Sequence, residues 1–333
     1  MERPDHLRPA PRVLFESLED RLALAVDAAA NFWIDEHVLD VAIEQHDRQI
    51  VPHDDFGAAG HWSSAPASAA ASTTFTGRGQ TVAIIDSGIA YDHVALGGGF
   101  GSGYRVVGGW DFAENDADPY DDGPAGFHGT HVAGIIAAAG GGRAGLASGV
   151  DLVALRVFDD AGNGYFSWVE QSLQWVHSRR NSFANPITTV NLSLGSQWNA
   201  ATAPNWATLE DELRQLELDG IFVTVSAGNS FQQYGSTGLS YPAASQYVVP
   251  VASVDAAGNL SRFSQRDSRV LAAPGERITS TVPDHYFGGD GIKNDWDAAS
   301  GTSMAAPYVA AASVLVRQAL RAVAQTVVTP DGI

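Results

Sequence analysis

From Gln80 onward the chain alternates short apolar runs with stretches of helical spacing. Val82–Ile85 is apolar at every position, the pattern of a strand buried on both faces. Similar runs recur at Leu152–Phe158, Thr189–Leu194, Ile221–Val225 and Tyr247–Val254. Between them, Phe166, Val169, Leu173 and Val176 share one helical face. Trp206, Leu209, Leu213 and Leu216 share another, with Gly220 placed to stop that helix. A last helix is predicted from Ser303 to about Ala324, with Pro307 expected in its first turn, where N–H groups are free anyway. This alternation predicts an α/β fold with a mostly parallel central sheet and helices on both faces. Ligands of such sheets sit outside the carboxyl ends of the strands, and Asp86 ends the first run.

The organisation around this pattern is simple. Residues 1–30 read as a targeting or export-like segment. Arg3, Arg8 and Arg12 precede an apolar stretch that Glu16, Glu19, Asp20 and Arg21 interrupt, so it is not an ordinary signal peptide. Residues 31–75 read as a propeptide or N-terminal arm and linker. Trp33, Val38, Val41 and Ile43 line a short helix there, and Ser63–Thr74 forms a Ser/Ala-rich loop. Residues 76–325 form the main domain and 326–333 a tail. The formal net charge of −19 argues against a nucleic-acid partner, which requires a basic face. With no cysteine, disulfides do not stabilise the chain. No stretch is apolar enough to span a membrane.

Four polar positions carry chemistry. Asp86 closes Val82-Ala-Ile-Ile-Asp86-Ser-Gly88, His128 opens His128-Gly-Thr-His131, and Ser303 lies in Gly301-Thr-Ser303-Met-Ala-Ala-Pro307. A serine hydroxyl is a weak nucleophile until a histidine takes its proton, and a carboxylate must orient that histidine. Asn229, in Ser226-Ala-Gly228-Asn229, follows an apolar strand and could donate to an oxyanion. Each taken alone has a plainer reading: Asp-Ser-Gly and Gly-Asn are good turns, and His128 with His131 could hold zinc.

The three motifs, in the order Asp, His, Ser, resemble the active-site segments of the subtilisin-like (subtilase) serine endopeptidases, from about Thr76 to about Leu320. The resemblance implies the three-layer fold of that family, with Asp86, His128 and Ser303 as triad and Asn229 as oxyanion donor. It implies hydrolysis of peptide bonds through an acyl-enzyme. Ser193, Leu194 and Gly195, opposed by Gly162, Asn163 and Gly164, would pair with the substrate backbone. Ser240 would floor the pocket for the residue before the scissile bond, giving an apolar preference. Phe127 stands where the family usually has Gly or Ser and is expected to crowd the cleft rim. The acidic segment Trp110–Pro119 resembles a calcium loop of some subtilases. It implies structural Ca²⁺ on Asp111, Glu114, Asp116, Asp118 and Tyr120, with no cofactor for catalysis. Export, a monomeric state and protein or peptide substrates are the expected setting, secreted or at the cell surface. The alternative is a catalytically silent binding protein on the same fold.

Overall fold

The computed structural model describes residues 12–14, 75–123, 126–140 and 143–328. The proposed helix at 31–60 and the loop at 63–74 lie outside the described residues. Seven strands form one parallel sheet: β2 (Thr81–Asp86), β3 (Val106–Asp111), β4 (Asp151–Arg156), β6 (Ile187–Leu192), β8 (Phe222–Ser226), β10 (Val249–Val254) and β11 (Leu271–Pro274). Their spatial order is β11-β10-β8-β6-β2-β4-β3. The first strand of the sheet, β2, therefore lies between two groups laid down in opposite directions. The connection from β4 to β6 crosses it, which makes the carboxyl end of β2 a topological switch point. All six residues of β2 are buried, the apolar run Val82–Ile85 together with the flanking Thr81 and Asp86.

Helix α1 (His128–Ala137) packs with the long α5 (Thr302–Val328), while α2 (Phe166–Arg179) packs with α3 (Glu210–Leu218). Phe166, Val169, Leu173 and Val176 are all buried on α2, as their spacing predicts. On α3 the apolar face is Leu213 and Leu216. Leu209 caps the helix and Trp206 lies before it, partly exposed. Gly220 follows the helix at φ 73° and its N–H bonds to Glu217, the left-handed stop that glycine permits.

The smaller strands make three antiparallel pairs: β7 (Ser196–Ala200) with β9 (Leu239–Tyr241), β12 (Ile278–Thr281) with β13 (Trp296–Ala299), and β5 (Asn163–Tyr165) with β1 (Arg12–Leu14). None of these pairs is visible as an apolar run. The predicted run at Thr189–Leu194 also ends early as a strand. After Leu192 the backbone leaves the sheet, and Ser193–Gly195 lead into β7.

Pro307 is not in the first turn of α5 but a full turn further in. A proline there cannot donate to the carbonyl four residues back, which is that of Ser303. That carbonyl is taken instead by the Ser193 hydroxyl at 2.8 Å.

Candidate active site

Asp86 ends β2 and is 1 % exposed; His128 is the first residue of α1, also 1 % exposed. Nδ1 of His128 lies 2.7 Å from Oδ1 of Asp86. The same oxygen accepts the Ser87 N–H at 2.8 Å. A carboxylate on Nδ1 places the ring proton there and leaves Nε2 as a base facing away from the acid. Nε2 is buried and has no hydrogen-bond partner among the described residues. Gly129 makes this approach feasible: a Cβ on it would stand 2.1 Å from the Gly88 carbonyl and 3.1 Å from Asp86 Cβ.

Ser303 is the second residue of α5, so its Oγ sits where the free N–H groups of the helix favour developing negative charge. The hydroxyl donates to the Ser193 carbonyl at 3.2 Å. The Ser303–His128 bond is therefore not made in this structure.

The Asn229 turn is built next to it. Oδ1 of Asn229 accepts both the backbone N–H and the hydroxyl of Thr302, each at 2.9 Å. Gly228 precedes it at φ 102°, donates to Thr302 Oγ1 at 3.2 Å and has its carbonyl bound by the Gln265 N–H at 2.7 Å. A side chain at 228 would strike Gln265 Oε1. With Oδ1 committed, the two N–H groups of the Asn229 amide are the ones left for a ligand.

Ser193 is held from below by a buried chain. Thr224 Oγ1 donates to Asn191 Oδ1 at 3.1 Å, and Asn191 Nδ2 donates to Ser193 Oγ at 2.9 Å. Ser240 is buried and its Oγ is 2.8 Å from where a Cβ on Gly195 would lie, so these two predicted subsite residues are adjacent. Gly162, Asn163 and Gly164 follow β4 in a turn that Asp159 organises, accepting the Asn163 N–H at 2.7 Å. Asn163 and Gly164 lie on β5, which carries an extended backbone on its edge: Val13 faces Gly164 and Leu14 faces Asn163.

Two expectations change. Phe127 is buried rather than crowding the rim. It stacks on Tyr286 at 4.3 Å and docks the loop between β12 and β13 onto the start of α1. The acidic residues do not gather as a metal site either. Asp111 accepts Ala113 and Glu114 N–H groups on Oδ1 and the Arg156 guanidinium at 2.5 Å on Oδ2. Asp116 accepts the Asp118 N–H, Asp118 the Tyr91 hydroxyl, and the Tyr120 hydroxyl turns to Asp92. Among the described residues, no three acidic, His or Cys side chains converge as metal ligands. The cation among these carboxylates is Arg156 itself, which also meets Asp160 at 2.6 Å. Burial alone would ease its proton loss, but the bonds to Asp111 and Asp160 hold its pKa above the ordinary arginine range.

His131, one turn after His128, is fully buried. Its Nε2 faces the Ile278 carbonyl at 2.9 Å, and burial, with the nearby His128, lowers its pKa to about 3. It stays neutral and, with no second ligand, offers no zinc site. Asp121, just past the acidic segment, is a residue that the sequence analysis did not single out. It is fully buried, and burial raises its pKa to about 6, although bonds from Thr130 and Ser87 pull the other way.

The subtilase family model matches residues 77–330. The chain is 34 % identical over 245 residues to a subtilisin of Bacillus pumilus, covering 73 % of this chain and 78 % of that one. It is also 34 % identical over 244 residues to thermitase of Thermoactinomyces vulgaris, covering 72 % of this chain and 75 % of that protein. A crystal structure of a cold adapted subtilisin-like serine proteinase superposes with a TM-score of 0.59 at 32 % identity, over 74 % of this chain and 78 % of the other. The parallel sheet and the site at its switch point are those of a subtilisin-like α/β protein. The chain belongs to the subtilase family, peptidase family S8. It spans 56 % of the length of some of these relatives, such as subtilisin amylosacchariticus of Bacillus subtilis subsp. amylosacchariticus.

Proposed function

We propose that this chain is a serine endopeptidase that hydrolyses peptide bonds in proteins through an acyl-enzyme. The observation that carries the reading is the buried Asp86–His128 bond at 2.7 Å, formed beside a helix-terminal Ser303 and an Asn229 amide whose oxygen is already committed. In this reading Ser303 attacks the scissile carbonyl and His128 Nε2 accepts its proton. Asp86 holds the ring and steadies the imidazolium. The Asn229 amide and the Ser303 N–H bind the oxyanion, and His128 then passes the proton to the leaving amine. Water repeats the sequence on the acyl-enzyme.

The substrate lies as an added strand between Ser193–Gly195 and Gly162–Gly164. Pairing of Arg12–Leu14 along β5 supports this, because it shows an extended backbone fits that edge. The small, uncharged Ser240 supports a preference for apolar side chains before the scissile bond. Export as a monomer fits the Phe15-Glu-x-Leu18-Glu-x-Arg21-Leu22 segment and the acidic surface. No helix among the described residues is long and apolar enough to cross a membrane. Arg156 already supplies positive charge to Asp111, Glu114, Asp122 and Asp160, so this reading assigns no ion to the acidic loop.

The test is labelling with a fluorophosphonate, with Ser303→Ala as control, followed by turnover of peptide and ester substrates. Labelling confined to the wild type, with peptide cleavage, is the expected result. A folded, N-terminally processed protein that does not label would instead be a silent binding relative.

A further inference from the structure

Helix α1 carries His128 at its very first position, yet it has no cap of its own. Phe127, at the N-cap, makes no side-chain bond to the helix, and no acidic residue sits in the first turn. A helix start leaves about four N–H groups without intrahelical partners, and here they lie in a buried place. Two of them are satisfied from elsewhere in the chain. Ser87 Oγ accepts the Gly129 N–H at 2.9 Å, and Asp121 Oδ2 accepts the Thr130 N–H at 3.0 Å.

The Asp121 bond is part of a longer connection. The same Oδ2 accepts the Thr130 hydroxyl at 2.6 Å, and that hydroxyl accepts the Ala90 N–H at 2.9 Å. Ala90 belongs to the loop that leaves Asp86. One carboxylate oxygen therefore joins the start of the histidine helix to the segment carrying its acid partner. From the other side, Thr281 Oγ1 donates to the Thr130 carbonyl at 2.8 Å and Ser280 Oγ to the His131 carbonyl at 2.6 Å, holding the first turn between two walls. Asp121 is 0 % exposed, and Gly126 comes close enough that a Cβ there would lie 2.8 Å from its Oδ1.

We infer that Asp121 is a positioning residue for His128: its carboxylate caps α1 in place of Phe127 and fixes the imidazole in register with Asp86. The inference rests on His128 being the general base of the proposed reaction. Asp121 touches neither substrate nor reacting atoms; it sets where the ring stands, an effect felt in the chemical step more than in substrate affinity.

The experiment compares Asp121→Ala, Asp121→Asn and Thr130→Val in the full chain. Each is measured for kcat and KM on one peptide, for fluorophosphonate labelling rate, and for melting temperature. Asp121→Ala should lower kcat and the labelling rate by roughly tenfold or more, with KM within about threefold. Asp121→Asn keeps an oxygen for Thr130 and should recover most of the lost kcat. Thr130→Val, which removes the hydroxyl's bonds to both Asp121 and Ala90 but keeps the backbone N–H bond to Asp121, should fall between. If Asp121→Ala does not fold, the Asn and Val variants carry the comparison. A folded Asp121→Ala, or a Thr130→Val, with wild-type kcat and only a lower melting temperature would overturn the inference. So would equal losses in the Ala and Asn variants, which would point to charge rather than to the cap. A wild type that neither labels nor cleaves would reject the endopeptidase reading, and the inference with it, whatever the variants do.

Discussion

Thr302 holds the side chain of Asn229 by its oxygen, through two hydrogen bonds of 2.9 Å. An amide can be turned either way, and these two donors exclude the orientation in which its oxygen would face the cleft. Thr302→Val should therefore lower kcat with little change in KM, and Thr302→Ser should restore it. Asn229→Ala should cost about 10²–10³ in kcat, a magnitude taken from a subtilisin rather than from this chain. Steady-state kinetics on one peptide substrate checks both. An unchanged kcat in Thr302→Val would mean the backbone N–H alone fixes the amide.

Ser193→Ala should destabilise the fold. It leaves the Ser303 carbonyl, which Pro307 cannot serve, and the Asn191 amide without their partner. A buried acceptor stripped this way costs about 1–3 kcal/mol. Urea denaturation would show it as a lower midpoint at constant slope, and no shift would mean that water or another donor reaches the carbonyl.

Arg156 is the cation on which the acidic loop depends. Replacing it with Met strands the fully buried Asp111 without its counter-charge, a loss of about 3–5 kcal/mol for a buried pair. Since Arg156 already balances Asp111, excess chelator should leave the melting temperature of the wild type unchanged. A fall of several degrees on chelation would show that the loop rearranges around a metal.

His131 gives the fold a pH dependence with a defined sign. Its folded pKa of about 3 lies below the ordinary 6.5, so both states are neutral above pH 6.5 and the group then costs nothing. Below pH 6.5 the unfolded chain takes a proton that the folded one refuses, and stability falls until pH reaches about 3. Asp121, raised from 3.8 to about 6, works the other way, since its folded form binds a proton first as pH drops between those values. The total slope is thus muted, and the difference between wild type and His131→Gln isolates the histidine. That difference should change by about 1.4 kcal/mol per pH unit below pH 6.5. A difference independent of pH would show that His131 titrates normally.

Five of the seven strands of the parallel sheet were legible because each is largely buried and reads as a mostly apolar run; β3, with two glycines and a half-buried middle, and β11, half exposed, were not. The faces of α2 and α3 were legible from Val169, Leu173, Leu213 and Leu216. Strands such as β7 and β9 were not, because their residues alternate or mix polar groups and pair locally over the cleft. The order of Asp86, His128 and Ser303 placed three site residues on strand and helix ends. What lay hidden was the role of residues whose type suits several jobs. Asp121 stands in a run of carboxylates, and nothing in that run separates the one that turns inward from those that face water. Phe127 reads as an intruder at the rim until its stack with Tyr286 is seen. Arg156 ends a strand and shows no sign in sequence that four acidic side chains gather round it. For Phe127 and for Arg156 with Asp111 the deciding contact spans dozens of residues, a distance that local pattern does not carry; Asp121 meets Thr130 only nine residues on, but burial rather than pattern selects it.

The clasp between the two ends of the domain has a temporal meaning. Gln318 on α5 accepts the N–H groups of Thr76 and Gly77 at 2.9 and 2.8 Å, and Gln80 reaches the Val314 carbonyl at 2.7 Å. Contacts this remote in sequence form late and slowly, since the intervening chain must first be brought into place. The helix that makes them also carries Ser303. While the polypeptide is being synthesised, Asp86 and His128 emerge long before Ser303, which takes its place only as the last helix locks the first strand. In the proposed reaction, a half-made chain would therefore hold acid and base without the hydroxyl they act on.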